Sequence, residues 1–256
     1  MADAPASGRL ITIPPSLEAE VARWALDRYD APFREEPHSV PILPFALKRA
    51  GAATLPALVS PEDGAGACNG AGEIAGYAQK TFPDKPKILP EKNPEDGFTL
   101  ALAGEFGPAT RSWAYHHLLP NRSIMLPVFT RGIPGWEKLI VYVGYGFITG
   151  YMRKGLELTA DKAEASLARS REIFDICGKQ ISDGRRYLMG DAFTLVDIIF
   201  AVQASPMLAP ANYGGTFPPF DDLPEAMKSV ITEMRGHPAG EFALRLYQEE
   251  RNKKAG

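Results

Sequence analysis

Two unlike units are expected of this chain: an α/β amino-terminal one and an all-helical carboxy-terminal one. Three observations point there. Strand-like and helix-like stretches alternate through residues 1–80, a charged, proline-rich stretch follows, and from Phe98 onward strand signals fade while helical periodicity takes over. The 256 residues suffice for two modest domains. The expected boundaries are 1–80, a linker over 81–97, and 98–256.

Arg9 to Ile13 has strand composition and Pro14-Pro15 ends it. Ser16 then opens a helix, with Glu18 and Glu20 at the positive end of its dipole. Val21, Trp24, Ala25 and Leu26 form the buried stripe of that helix. Pro32 to Glu36 reads as a second, more exposed strand, with Glu35-Glu36 as a solvated run, and Ile42 to Arg49 as a short helix. Ala53 to Val59 is a third strand interrupted by Pro56, which lacks a ladder donor and fits best as the residue that begins the strand. Cys68 to Ile74 leads into a further helix through Tyr77 and Ala78. The linker carries Pro83, Pro86, Pro90 and Pro94 among Lys, Asp and Glu, the composition of a stiff polar connector.

In the second half, Leu100, Leu102, Phe106, Trp113 and Leu118 line one side of a helix that Gly104, Gly107 and Pro108 make uneven. A helix follows over Trp136 to Gly155, then another capped by Thr159 and ended at Asp183-Gly184. The strongest local signal is at Thr194. Its hydroxyl and the Asp197 carboxylate, three residues on, make a capping box, and Phe193 can staple onto Ile198. Leu195, Ile198, Ile199, Val202 and Met207, with Phe200 and Ala201, make this helix apolar nearly all round, hence buried. Capping accounts for Thr194 and Asp197, so neither they nor Asp191 is read as a substrate contact. A proline- and glycine-rich loop over Leu208 to Pro224, a short helix at Ala226 to Met234, and a last one at Glu241 to Arg251 complete the chain. His38 and His237 fall in loops.

The order Gly-Arg-Arg-Tyr-Leu-Met-Gly-Asp, then Phe-Thr-Leu-Val-Asp, then an apolar helix resembles the helical domain of the glutathione S-transferase family. The strand–helix–strand unit followed by Thr-Leu-Pro-Ala-Leu-Val resembles that family's thioredoxin-like half, and the His-Pro-Ala-Gly ending resembles its bacterial members. The resemblance spans Arg9 to Arg251. It implies a thioredoxin-like N-terminal domain, an all-α C-terminal bundle, a cis Leu55–Pro56 bond, and glutathione as co-substrate. It also implies a homodimer and a role in detoxification, while the two distant cysteines fit a reducing cytoplasm. The reaction implied is attack of the glutathione thiolate on a hydrophobic electrophile, or a related reaction such as peroxide reduction. The alternative is a binding or structural protein of the same fold without that chemistry.

Residue by residue, the resemblance places Leu55 and Pro56 at the cysteinyl backbone of glutathione. Gly70, Ala71 and Gly72 fall at the helix start that holds its γ-glutamyl carboxylate. The family has an acidic residue and Ser where this chain has Gly70 and Ala71. The Ala71 N–H and the helix dipole remain as donors, but the hydroxyl is gone, and Asn69 is the neighbour that could replace it. Ser16 lies where the family keeps its thiol-activating hydroxyl, and is equally a plain N-cap; Thr12 and Ser7 are alternates. Arg111, Trp113, Tyr115 and His116 fall on the helix that lines the second-substrate pocket, expected to be roomy. Arg111 and Tyr115 share a face and could stabilise a thiolate or an electrophile; packing is the other reading, and for Arg111 a pairing with the acidic linker.

Composition sets outer bounds. A formal charge of −3 carries no basic footprint for nucleic acid. No apolar run is long enough to span a membrane, and Met1 to Gly8 lacks a signal-like core. Cys68 and Cys177 are far apart, which argues against a disulfide framework. Four His without ligand spacing argue against a metal site.

Overall fold

The computed structural model describes residues 8–59, 66–90, 99 and 101–252. Residues 91–97 of the expected linker, together with Ser7, Phe98 and Leu100, lie outside the described residues.

The amino-terminal part builds a four-stranded mixed sheet in the order β2-β1-β3-β4, from β1 (Gly8–Thr12), β2 (Phe33–Pro37), β3 (Ala57–Val59) and β4 (Ala67–Asn69). β1 and β2 are parallel, so the chain must cross over between them, and α1 (Leu17–Arg28) is that crossover. β3 is antiparallel to both β1 and β4, with Leu10 opposite Leu58 and Leu58 opposite Cys68. The Leu55–Pro56 bond is cis, and the strand begins just after it. β4 carries no strand signal in the sequence: Ala-Cys-Asn is three residues long and lacks β-branched side chains. It forms because Leu58 offers it an edge. α2 (Leu43–Arg49) and α3 (Gly70–Thr81) complete this part.

Seven α-helices follow among the described residues: α4 (Gly107–Leu118), α5 (Arg122–Thr130), α6 (Gly135–Gly155), α7 (Ala160–Gln180), α8 (Leu195–Leu208), α9 (Glu225–Arg235) and α10 (Pro238–Glu249). A π-helical turn over Leu102–Phe106 leads into α4. It sits where Pro108 has no N–H for a regular ladder, so the unevenness expected there is a local widening of the turn rather than a break. α5 was hidden from sequence by Pro120-Asn121 and by Pro127 inside it. The last helix starts earlier than its periodicity suggests: Pro238 takes the first-turn position, and His237 Nδ1 accepts from the Ala239 N–H. Thr159 caps α7 as expected.

α8 is the central helix. It packs against α1, α4, α9 and α10, and Phe200 stacks on Phe106 at 5.6 Å with Phe174 edge-on to Phe106 at 5.8 Å. Its capping box forms: Asp197 accepts from the Thr194 N–H at 2.8 Å and from the Leu188 N–H at 2.7 Å, which also ties down the preceding turn. Phe193 lies between Trp24, Tyr187 and the Arg28 guanidinium. Because α1 touches both α3 and α8, its amino terminus opens where the sheet-bearing part meets the helices. No helix among the described residues is long and apolar enough to cross a membrane.

Candidate functional site

Two cavities meet at the start of α1. Leu17 lines both. The first, about 160 Å³, lies between Glu18 and Val21 of α1, Ala71 and Gly72 of α3, Leu102 and Gly107, and Leu195, Ile199 and Gln203 of α8. The second is a narrow, mostly apolar slot of about 40 Å³, bounded by Pro15, Arg111, Tyr115, Met125, Tyr213 and Phe217 among others. That slot has room for roughly three water centres, so the roomy pocket expected from sequence is closed here.

Ser16 precedes Leu17 in the chain, is buried, and lines neither cavity. It is the N-cap of α1, accepting from the Ala19 N–H at 3.1 Å, and its hydroxyl donates to Glu18 Oε2 at 3.1 Å. The Ser16 hydroxyl proton is therefore directed at Glu18. The other Glu18 oxygen takes Arg111 Nη1 at 3.3 Å, so Ser16, Glu18 and Arg111 form one hydrogen-bonded chain, with Glu18 lining the first cavity and Arg111 the second. Arg111 thus pairs with α1, from across 93 residues of sequence. Glu18 looked like an ordinary first-turn acid, and only the tertiary contact gives it this place. Thr12, the alternate to Ser16, is fully buried and donates to Glu35.

Of the four residues expected in the second-substrate pocket, Arg111 and Tyr115 line the slot, one turn apart. Trp113 does not. It is a core residue facing His117 edge-on. His116 is absent from the slot lining as well; its Nδ1 is buried without a partner among the described residues. Burial pushes the Tyr115 phenol up to about 12, with Arg111 pulling the other way, so the group is a neutral hydrogen-bond donor at physiological pH.

At the start of α3, Gly70 has φ +79°, which a side chain would strain, and its N–H is already given to the Pro56 carbonyl at 2.8 Å. Asn69 does not replace the missing hydroxyl. Its Oδ1 accepts from the N–H groups of Ala53 and Thr54, and its own N–H goes to Glu73 Oε2. Ala71 and Gly72, in the first turn of α3, border the cavity, with the Glu73 charge nearby opposing an anion. Gln203, unmarked by any motif, adds a buried Oε1 without a partner among the described residues, beside Gly107. Glu35 also departs from expectation. Arg23 donates to it through Nε and Nη2, and these bonds, with Thr12, outweigh burial and hold its carboxyl below the usual range.

Cys68 and Cys177 are both free thiols. Among the described residues no His, Cys, Asp or Glu cluster could hold a metal ion.

No family model matches the chain, and no curated protein matches its sequence. Solved structures do match over nearly its whole length. A glutathione S-transferase of Ceriporiopsis subvermispora, solved in complex with glutathione, is 18% identical, with TM-score 0.62, over 96% of this chain and 98% of that one. Glutathione transferase GSTFuA3 from Phanerochaete chrysosporium is 16% identical, with TM-score 0.61, over 99% and 100%. A glutathione transferase family member from Pseudomonas fluorescens, with two glutathione bound, is 16% identical, with TM-score 0.50, over 95% and 94%. Likeness at that identity establishes the fold, a thioredoxin-like unit joined to a helical bundle, and leaves the chemistry to the residues.

Proposed function

We propose that this chain, built on the glutathione S-transferase fold, binds glutathione and transfers its thiolate to a hydrophobic electrophile. The observation that carries the reading is the meeting of two unlike cavities at Leu17. One is bordered by Ala71 and Gly72, in the first turn of α3, where helix-start amides suit a carboxylate; the other is apolar, suited to an aromatic or alkyl partner. In this reading Leu55 and Pro56 hold the cysteinyl backbone, and Gly70 shapes the turn that aims the Ala71 and Gly72 amides. The thiol sits near Ser16. Turning the Ser16 hydroxyl from Glu18 to the sulfur, at the positive end of α1, would lower the thiol pKa and raise the nucleophilic fraction. Holding both reactants in register supplies the second rate term. Arg111 and Tyr115 face the electrophile as a charge and a neutral donor, and the slot must widen to admit it. The functional setting proposed is a cytoplasmic homodimer acting in detoxification.

A second reading is a protein of this fold without glutathione chemistry. The Glu73 charge at the α3 start and the Ser16–Glu18 bond favour it. Calorimetric titration with glutathione separates the two. Measurable heat, with turnover of an activated aryl halide, supports the transferase; no heat at millimolar glutathione removes it.

A further inference from the structure

A third cavity, of about 350 Å³, opens where α1, the end of β2, the turn after α5 and the loop after α8 meet. Glycine lets its walls close in. Gly132, at φ +74°, has the site of its missing Cβ 3.1 Å from Pro37 Cγ, which sets the turn after α5 against the end of β2. A Cβ on Gly215 would fall 2.9 Å from Arg23 Nη1, so the loop backbone itself lies against that buried guanidinium. The walls are rich in donors. Arg23 uses three of its five N–H groups, one on Glu20 and two on Glu35. Glu35 accepts those two and the Thr12 hydroxyl, so its charge and most of its acceptor capacity are taken. Arg131, exposed at the rim, makes no hydrogen bond or ion pair among the described residues, and neither does the Thr216 hydroxyl. This polar cavity adjoins the apolar slot. Thr216 borders both, and the segment between them gives Tyr213 and Phe217 to the slot but Gly214 and Gly215 to the polar side.

We propose that the slot and the polar cavity together form one site for an aromatic carboxylate, with the ring in the slot and the carboxylate past Thr216 against Arg131. In the transferase reading, on which only this second step rests, that compound is the electrophile. The slot walls suit a ring and the polar walls do not, so a ligand spanning both needs one apolar end and one charged end. The sign of the charge follows from the partners. Glu35 is already neutralised by Arg23, whereas Arg131 is the cation left without an acid among the described residues. A planar carboxylate also matches the guanidinium fork, taking two parallel N–H groups. The chemistry is compatible with this pose. In an aryl chloride whose carboxylate lies para to the chlorine, the glutathione thiolate attacks the carbon that bears chlorine. The C–S bond forms, the C–Cl bond breaks, chloride leaves with the bonding pair, and the thiol proton passes to solvent. The carboxylate takes no part in these steps, so Arg131 binds and orients the ring without touching the reacting atoms.

The test uses the full chain, and its binding arm needs no glutathione. Calorimetry with para-toluate and its neutral amide, para-toluamide, should show the anion bound at least about tenfold more tightly. Arg131→Gln should bring that preference below about threefold, with unchanged helical content. Acetate, which has the charge without the ring, should bind at least about tenfold more weakly than para-toluate. In the kinetic arm, Arg131→Gln should lower kcat/KM at least about fivefold for an ortho-nitro aryl chloride bearing the para carboxylate, through KM rather than kcat. Wild type without preference for the anion would overturn the proposal. So would a preference that survives Arg131→Gln but is lost in Arg111→Gln, or acetate bound as tightly as para-toluate. The two readings fail separately. An Arg131-dependent preference for the anion with no turnover of any electrophile removes the transferase and keeps the site. Turnover of the neutral aryl chloride amide with no such preference keeps the transferase and removes the site.

Discussion

Arg251 Nε lies 2.7 Å from Glu20 Oε1, and both side chains are buried. The pair fastens the carboxy-terminal end of the described chain to the first helix. Glu20 also takes Arg23 Nη1 at 3.2 Å and the Gly214 N–H at 2.9 Å, and Arg251 reaches on to Asp27 at 2.8 Å. One carboxylate thus satisfies two buried guanidinium groups and a loop amide. Its neutral replacement, Glu20→Gln, would remove the fully buried carboxylate that Arg23 and Arg251 share, leaving Arg23 with Glu35 and Arg251 with Asp27, both partly exposed. The expected cost is about 3–5 kcal/mol in urea unfolding. A loss below about 1 kcal/mol would mean the network is solvated and weak.

Asp197 sets a pH dependence. Burial pushes its carboxyl from 3.8 up to about 6, against the three hydrogen bonds it receives from Leu188 and Thr194. Between those values the native chain keeps a proton that the unfolded chain has shed. Its linked contribution is therefore fully present below 3.8 and lost as pH rises through about 6. Comparing the wild type with Asp197→Asn isolates it from other carboxylates: the stability gap should narrow by up to about 3 kcal/mol between about pH 4 and about pH 7. A gap that is flat or widens would show that Asp197 stays ionised throughout.

Ser16 can be separated into cap and catalyst. Ser16→Gly keeps N-cap stability to within a few tenths of a kcal/mol, while Ser16→Ala costs about 1 kcal/mol. If the hydroxyl activates a thiol, both variants lose at least about tenfold in turnover, whatever their melting temperatures. Unchanged turnover in the glycine variant would leave Ser16 as a cap and nothing more.

Ala71→Ser is the constructive test. A hydroxyl restored beside the Ala71 and Gly72 amides would add a hydrogen bond to a charged carboxylate, worth about 1.5–3 kcal/mol. Glutathione affinity by calorimetry should rise about tenfold or more. An unchanged or weaker affinity would place the ligand's carboxylate elsewhere.

Much of the fold was legible because local physics carries it. The Thr194–Asp197 box, the Ser16 and Thr159 caps, the apolar girth of α8 and the proline at the start of β3 are short-range signals, and the structure places each where the sequence does. The resemblance those segments carry led to the right fold. β4 and α5 were not legible: one is paired into existence by its neighbour, the other is masked by internal proline.

The sequence alone determined two architectures in series, the central buried helix, and the candidate positions Ser16, Ala71 and Arg111. Tertiary structure decided what each faces. It bound Ser16 to Glu18 and Glu18 to Arg111, drew Glu35 inward onto Arg23, and withdrew Trp113 into the core. Caps and stripes are written within a few residues of chain, whereas partners tens of residues away are chosen by packing, which no local pattern records.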